Sequence, residues 1–462
     1  MTEPAPVMVN GFDGSRAAGL PPATQELIQR RDRALGRAYR LFYDRPVSFV
    51  RGSGVHLYDA EGNAYLDAYN NVPCVGHSHP HVTDCVARQL ATLNTHTRYL
   101  TDGVITYAER LIATHDLAAP ANAMFTCTGS EANDLALRIA RHHTGGTGVI
   151  VTANAYHGVT AALAELSPSL GPNVPLGPHV RVVPAPTQGV NFTTAVAWAI
   201  SDLERHGVRL AGFLADSVFS SDGVFTDPAG FLAPIPEIVH AAGGLYIADE
   251  VQAGFARTGT HMWGYQRHGV TPDIVTMGKP MGNGVPIAGL VARQEVLDDF
   301  GRTARYFNTF GGNPVSVAAA SAVLDVLDAD QLAANAVATG AYLKDGAAQI
   351  AAGSPVLADV RGAGLYLGVD VVSPSTGEPS YELASAIVNG MRERRVLISA
   401  TGPRGNILKI RPPLPFQAEH ADQLLATLSE VLADVVTNAG QGGLGGVGGV
   451  GGQGGVGGPG GR

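Results

Sequence analysis

The sequence predicts an α/β protein: one large domain built on a mainly parallel sheet flanked by helices, and a smaller α+β domain beside it. Three observations carry that expectation. Between residues 124 and 327, short apolar runs alternate with helical patterns, the βαβ rhythm of a parallel sheet covered on both faces. After Asp328 strands and helices continue, but the strict alternation stops. At 462 residues the chain is also longer than a single hydrophobic core usually serves.

Taken in order, residues 1–25 are rich in Pro and Gly and read as a loose arm. Residues 26–43 set basic side chains against Ile28, Leu35 and Leu41 at helical spacing, and Pro46 is expected to stop that helix. Residues 47–51, 55–59 and 64–67, with the turn Glu61-Gly62-Asn63, read as a strand meander, so 26–67 is expected to join the small domain. Gly76-His77-Ser78-His79-Pro80-His81 has the look of a metal cluster. A helix start is the preferred reading, with Ser78 or His79 capping and Pro80 in the first turn of a helix over 82–93, and no metal is expected. The link 94–100 holds polar groups and Arg98, and a helix over 104–118 follows.

The strand 124–127 breaks at Thr128-Gly129-Ser130 and restarts as a helix over 131–142. Free N–H groups and a hydroxyl at a helix start suit an anion, although simple capping by Ser130 uses the same geometry. Strand 149–152 ends in Ala155-Tyr156-His157-Gly158, which can stack on a planar ring or form a turn. Further strands are expected at 180–183, 210–215, 244–248, 274–277 and 287–291, with helices at 193–206, 232–242, 294–300 and 316–327. These complete a large domain over 68–328. The segment 329–438 carries helices at 331–352, 381–395 and 418–436 and strands at 356–360, 365–371 and 407–410. From residue 440 on, fifteen of twenty-three residues are glycine, so the tail 439–462 cannot offset its ordering entropy and is expected to be disordered.

Composition narrows the function. Charged residues at 15% and apolar residues at 45% suit a large core, and a net charge of −9 without a basic run leaves nucleic-acid binding unsupported. No window approaches the ~20 apolar residues of a membrane helix, so no membrane association is expected. Residues 1–10 lack the pattern of a signal peptide. Cys74, Cys85 and Cys127 are odd in number, without metal-ligand spacing, and read as thiols in a reducing compartment. A cytoplasmic protein is expected.

The chemistry concentrates in Ala248-Asp249-Glu250-Val251-Gln252 and Met277-Gly278-Lys279-Pro280. Two apolar strands deliver a carboxylate and a lysine at their C-terminal ends, where open α/β sheets bind ligands. Such a pair suits an aldehyde cofactor held as a Schiff base, the acid balancing a cationic ring nitrogen and the lysine closing the imine. The plain alternative is a strand-end acid and a surface lysine.

Several ordered words extend this pair: Gly76-His77 with His79-Pro80, Thr128-Gly129-Ser130-Glu131-Ala132-Asn133, Tyr156-His157-Gly158, Asp249-Glu250-Val251-Gln252, Gly278-Lys279 and Thr309-Phe310-Gly311-Gly312-Asn313-Pro314. Together they resemble the class III aminotransferases, fold-type I pyridoxal 5'-phosphate enzymes, over roughly residues 27–436. The resemblance implies that Lys279 carries the cofactor and shuttles the proton at the substrate carbon, while Asp249 pairs with the ring nitrogen. Gly129 and Ser130 would cradle the phosphate, and Thr309 would reach it from the other subunit of a homodimer, or of a tetramer built from such dimers, with shared active sites. Tyr156 would stack on one ring face, Val251 cover the other and Gln252 meet the ring hydroxyl. Arg411 sits where the family often places an arginine for a substrate carboxylate. Glu250 follows the motif without an assigned role.

Within the family, Tyr69-Asn70-Asn71-Val72, the link 94–100, Ser399-Ala400-Thr401-Gly402-Pro403 and the run 272–284 look closest to the phospho-lyase branch, which acts on phosphoethanolamine or phosphohydroxylysine. Asp216-Ser217 departs from the Glu-Pro of most members, and from the glutamate that the branch keeps. The expected reaction is therefore elimination of phosphate from a phosphorylated amine, giving aldehyde, ammonia and phosphate. The alternative is an ω-amino acid or alanine–glyoxylate type aminotransferase. Expelling phosphate calls for a second anion site, with Arg98, Asn70, Asn71 and Thr97 as the candidates. The expected partner is a small amine or phospho-amine.

Overall fold

The computed structural model describes residues 8–117, 120–187 and 189–440. The expected disordered tail therefore lies outside the described residues from 441 on. The first strands form the meander β1 (Phe49–Ser53), β2 (His56–Asp59) and β3 (Ala64–Asp67), each strand antiparallel to the next. Its second turn is fixed by Asp59, whose carboxylate accepts from the Asn63 backbone N–H at 2.8 Å and from Asn63 Nδ2 at 2.9 Å.

The central sheet consists of β4 (Ala121–Thr126), β5 (Gly148–Thr152), β6 (Val180–Val183), β7 (Leu210–Asp216), β8 (Leu245–Asp249), β9 (Ile274–Met277) and β10 (Ala288–Arg293). Their spatial order is β4-β10-β9-β8-β7-β5-β6. The pairs from β6 through β9 are parallel, whereas β10 runs antiparallel to both β9 and β4. The exception has a local cause. Parallel strands need a crossover of about a dozen residues or more. Between β9 and β10 the chain makes only the tight 3-10 turn Lys279–Gly282 and comes straight back. Strands β5, β8 and β9 are buried along their whole length, as uninterrupted apolar runs covered on both faces should be.

Register decides what the sheet presents. Asp216 on β7 pairs with Asp249 on β8, and Asp249 pairs with Thr276 on β9. Two acids and a hydroxyl thus stand in one row at the C-terminal edge, with Lys279 three residues past Thr276.

The third sheet joins β11 (Leu357–Ala363), β12 (Tyr366–Val371), β14 (Ser399–Thr401) and β15 (Ile407–Ile410) in the order β11-β12-β15-β14, all antiparallel. The short β13 (Val396–Leu397) leaves this region and pairs in parallel with β3. The N-terminal meander and the C-terminal segment therefore share a sheet.

Two expectations for the N-terminus fail. The first helix spans Pro22–Leu35 and ends well before Pro46. Residues 41–43 are instead drawn into an extended pairing, Phe12 N–H donating to Leu41 O at 2.8 Å and Tyr43 N–H to Asn10 O at 3.0 Å. For the same reason residues 8–25 are no loose arm: Asn10 is buried and its Nδ2 donates to Ser399 Oγ at 2.8 Å. Among the described residues no helix is long and apolar enough to cross a membrane.

Candidate active site

The row of strand ends faces the start of the helix Gly129–Thr144, and a cavity of about 180 Å³ lies between them. Gly129, Ser130, Tyr156, Asp216, Asp249, Val251, Gln252 and Lys279 all line it. The sequence-predicted cofactor residues thus converge, except Thr309.

At the helix start the cap is Thr128, not Ser130. Thr128 Oγ1 accepts from Glu131 N–H at 3.1 Å, and Glu131 Oε2 accepts from Thr128 N–H at 3.1 Å, a reciprocal capping box. Ser130 Oγ instead accepts from Val159 N–H at 3.2 Å. The N–H groups of Gly129 and Ser130 find no acceptor among the described residues, and they sit at the positive end of the helix dipole. Gly129 is required by a close approach: a Cβ there would stand 3.0 Å from Val251 Cγ2.

Asp249 is anchored before any ligand arrives. His157 Nδ1 lies 2.8 Å and Asn133 Nδ2 2.9 Å from its Oδ2, and Val251 N–H donates to Oδ1 at 3.0 Å. Asn133 is itself oriented by Thr276 Oγ1, which donates to its Oδ1 at 2.6 Å. A helix, a strand and two loops thus hold one carboxylate in place.

Lys279 opens its turn with φ of +29°, a left-handed conformation costly for a residue with a side chain. Burial, reinforced by the Arg411 cation, pulls its ammonium down to about 8, while Asp249 and Asp216 oppose the shift. Asp216 spends its carboxylate on its own turn, accepting from Val218 N–H at 3.0 Å, Ser220 N–H at 2.8 Å and the Ser220 hydroxyl. Burial and the neighbouring Asp249 push its carboxyl upward. Glu250 points away from the cavity. It accepts from Ser217 Oγ at 2.5 Å, Gly264 N–H at 2.6 Å and Tyr265 N–H at 2.8 Å, so its role is to tie the end of β7 to a neighbouring turn. Burial pushes it up to about 7.

Above the cavity, Gln252 Oε1 accepts from Asn71 Nδ2 at 3.2 Å and from Arg411 Nη1. Arg411 is buried, donates from Nε to Tyr69 O at 3.2 Å, and has no carboxylate partner among the described residues. Two residues earlier on β15, on the same face of the strand, stands Lys409. Burial, then Arg411 and Lys279, push its ammonium down to about 7, with Asp216 opposing, and it donates to no acceptor among the described residues.

Three candidates fall elsewhere. Asn70 closes a turn, its Oδ1 accepting from Val72 N–H at 3.1 Å. Arg98 is exposed and stacks on Phe307, its guanidinium carbon 3.8 Å from the ring centroid. Thr309 is exposed outside the cavity, next to Phe310.

Residues 42–432 match the family model described as aminotransferase class-III. The chain belongs to the class III aminotransferases. It is 39% identical over 435 residues to an alanine–glyoxylate aminotransferase 2-like protein of Drosophila melanogaster, covering 89% of this chain and 87% of that one. It is 35% identical over 437 residues to ethanolamine-phosphate phospho-lyase homolog 1 of Caenorhabditis elegans, covering 88% and 93%. A solved phospholyase from Arthrobacter in complex with phosphoethanolamine superposes with a TM-score of 0.85 at 47% identity, covering 88% of this chain and 99% of that one.

As a class III member the chain is a fold-type I, pyridoxal-phosphate-dependent enzyme. The site fits that cofactor on its own terms. It offers free N–H groups at a helix start, a glycine that keeps the cradle open, an anchored carboxylate and a lysine near neutrality. Three participants escaped sequence reasoning. His157 and Asn133 lay inside recognised words without a role, since their partner Asp249 is about a hundred residues away. Lys409 had a local signal, the alternation Lys409-Ile410-Arg411 that puts two cations on one strand face.

Proposed function

We propose that this class III enzyme is a phospho-lyase, eliminating phosphate from a small phosphorylated amine such as phosphoethanolamine to give aldehyde, ammonia and phosphate. The observation that carries the reading is the pair Lys409 and Arg411 beside Lys279. Among the described residues neither cation forms an ion pair with a carboxylate, Asp216 and Asp249 being bonded to other protein donors, and a substrate phosphate would supply a direct partner. The Arthrobacter phospholyase bound to phosphoethanolamine supports the same reading.

Gly129 and Ser130 would hold the cofactor phosphate through their N–H groups, Tyr156 and Val251 would flank the ring, Gln252 would meet its hydroxyl, and Asp249 would keep a proton on the ring nitrogen. The cofactor, when bound, supplies an electron sink for the carbon that bears the amine. Lys279 takes the proton from that carbon. With its ammonium near 8, about one lysine in ten is neutral at pH 7, against fewer than about one in a thousand for an unperturbed lysine. Lys409 and Arg411 hold the ester phosphate and stabilise it as it leaves with the electron pair of the C–O bond. In net terms phosphoethanolamine and water become acetaldehyde, ammonia and phosphate.

We further propose a homodimer with shared sites. Leu100 is 97%, Phe310 68% and Tyr99 65% exposed, an apolar strip around Arg98 and Thr309 that suits a second copy. In that arrangement Thr309 and Arg98 would serve the partner's cavity. We assign residues 68–328 to the cofactor-binding domain and 26–67 with 329–438 to the second domain, and place the enzyme in the cytoplasm on the strength of its free thiols.

The test is phosphate release from phosphoethanolamine without any keto acid. Phosphate and acetaldehyde in equal amounts are expected. Turnover that needs pyruvate or glyoxylate, with no phosphate formed, would overturn the reading. The second reading, transfer of the amino group to a keto acid, draws support from the buried, carboxylate-free Arg411, which suits a substrate carboxylate as well. Conversion of the cofactor to its pyridoxamine form by β-alanine would favour it.

A further inference from the structure

Arg257 lies just beyond β8 with no exposed surface, and no carboxylate pairs with it among the described residues. Its Nη1 donates to the backbone carbonyl of Leu365 at 3.2 Å and to that of Pro412. Leu365 N–H donates back to Arg257 O at 3.1 Å. The contact is close enough that a Cβ on Gly364, which has φ of +55°, would stand 2.5 Å from Arg257 O. Nε and Nη2 have no partner among the described residues.

Enclosing a guanidinium in this way is costly, and an apolar side chain would fill the space at lower cost. The carbonyls it grips explain what it does. Leu365 immediately precedes Tyr366, and Pro412 immediately follows Arg411. Tyr366 and Arg411 meet, Nη1 lying 3.5 Å from the phenol oxygen and the guanidinium carbon 5.4 Å from the ring centroid. We propose that Arg257 is a positioning residue for anion recognition: by holding the carbonyl on each side of the Tyr366–Arg411 contact, it sets where Arg411 presents its charge to the substrate. This rests on the reading that Arg411 receives the substrate anion. Burial lowers Arg257 to about 10, so it remains a cation at neutral pH and adds positive potential behind Arg411.

The test compares holoenzyme, Arg257→Met and Arg257→Lys by spectral titration with β-alanine and with propylamine, which differ in the distal anion, and by KM and kcat for phosphoethanolamine. Arg257→Met is expected to lower the β-alanine over propylamine affinity ratio by roughly tenfold to 100-fold, the scale of a misplaced binding group. KM for phosphoethanolamine should rise by a similar factor with kcat changed by less than about threefold. Arg257→Lys, which keeps the charge but not the two-carbonyl grip, should fall between. An unchanged ratio, or equal losses for both amines, overturns the proposal. Should Arg257→Met lose its cofactor absorbance and fail to fold, Arg257→Lys decides by the same ratio. A wild type that releases no phosphate refutes the phospho-lyase reading alone, because the β-alanine to propylamine ratio still reports on Arg257.

Discussion

Replacing Lys409 with methionine tests the phosphate subsite most directly. Methionine keeps the apolar stem and removes the ammonium, so packing on β15 is nearly preserved. A hydrogen bond to a charged group contributes ~1.5–3 kcal/mol. At about 1.4 kcal/mol per tenfold, kcat/KM for phosphoethanolamine should fall by roughly 10- to 150-fold. The affinity for propylamine, which has no phosphate, should be unchanged. The pH dependence adds a second signature. Burial holds Lys409 near 7, and only its protonated form attracts an anion, so the affinity for a simple alkyl phosphate should weaken as pH rises through 7. An alkyl phosphate is already a dianion above about pH 6, so the loss belongs to the lysine. Lys409→Met should abolish that slope. Its thermal midpoint should be no lower, because a charge disfavoured by burial has gone. A continuous phosphate-release assay and a phosphate-binding titration between pH 6 and 8 suffice. Activity within twofold of wild type, or an equal loss of propylamine affinity, refutes the subsite.

Reconstitution of the apoenzyme with pyridoxal phosphate requires neutral Lys279, so its rate should climb as pH rises through about 8; removing the Arg411 cation in Arg411→Leu should move that midpoint upward, and a midpoint that stays put counts against their coupling. Gly129→Ala places a methyl against Val251 and should weaken cofactor binding measured by absorbance, with Gly129→Ala/Val251→Ala recovering part of the loss; no recovery would mean the clash is not the cause. Asn133→Leu unfastens Asp249 and should cost about tenfold or more in turnover with little loss of stability outside the site, as expected for a group that orients another. Phe310→Asp should yield monomers in light scattering and poorer cofactor retention; an intact dimer would argue against the shared-site arrangement.

How much of this was legible before folding depended on how local the cause was. Asp249 and Lys279 could be placed because each ends a short apolar strand, and a strand's end is written in its own residues. The helix start at Gly129 was equally local, yet the cap went to the wrong hydroxyl. The spacing of Thr128 and Glu131 fits the capping box, whereas Ser130 lies two residues later, inside the helix and next to Glu131. The first helix was extended past Leu35 because its basic and apolar spacing continues, while the pairing of residues 10–12 with 41–43 is invisible in that period.

By itself, then, the sequence determined the strand and helix alternation and the strand ends that carry Asp249 and Lys279, since these follow from neighbours within a few residues. Tertiary structure alone decided which distant groups come together. Register put Asp216 beside Asp249, and Asp216 then turned back on its own loop. The antiparallel sheet of the second domain brought Lys409 and Arg411 within electrostatic reach of Lys279, while Arg98 was left on the surface against Phe307. Charges acquire function from distances across hundreds of residues, and no periodicity along the chain encodes those distances.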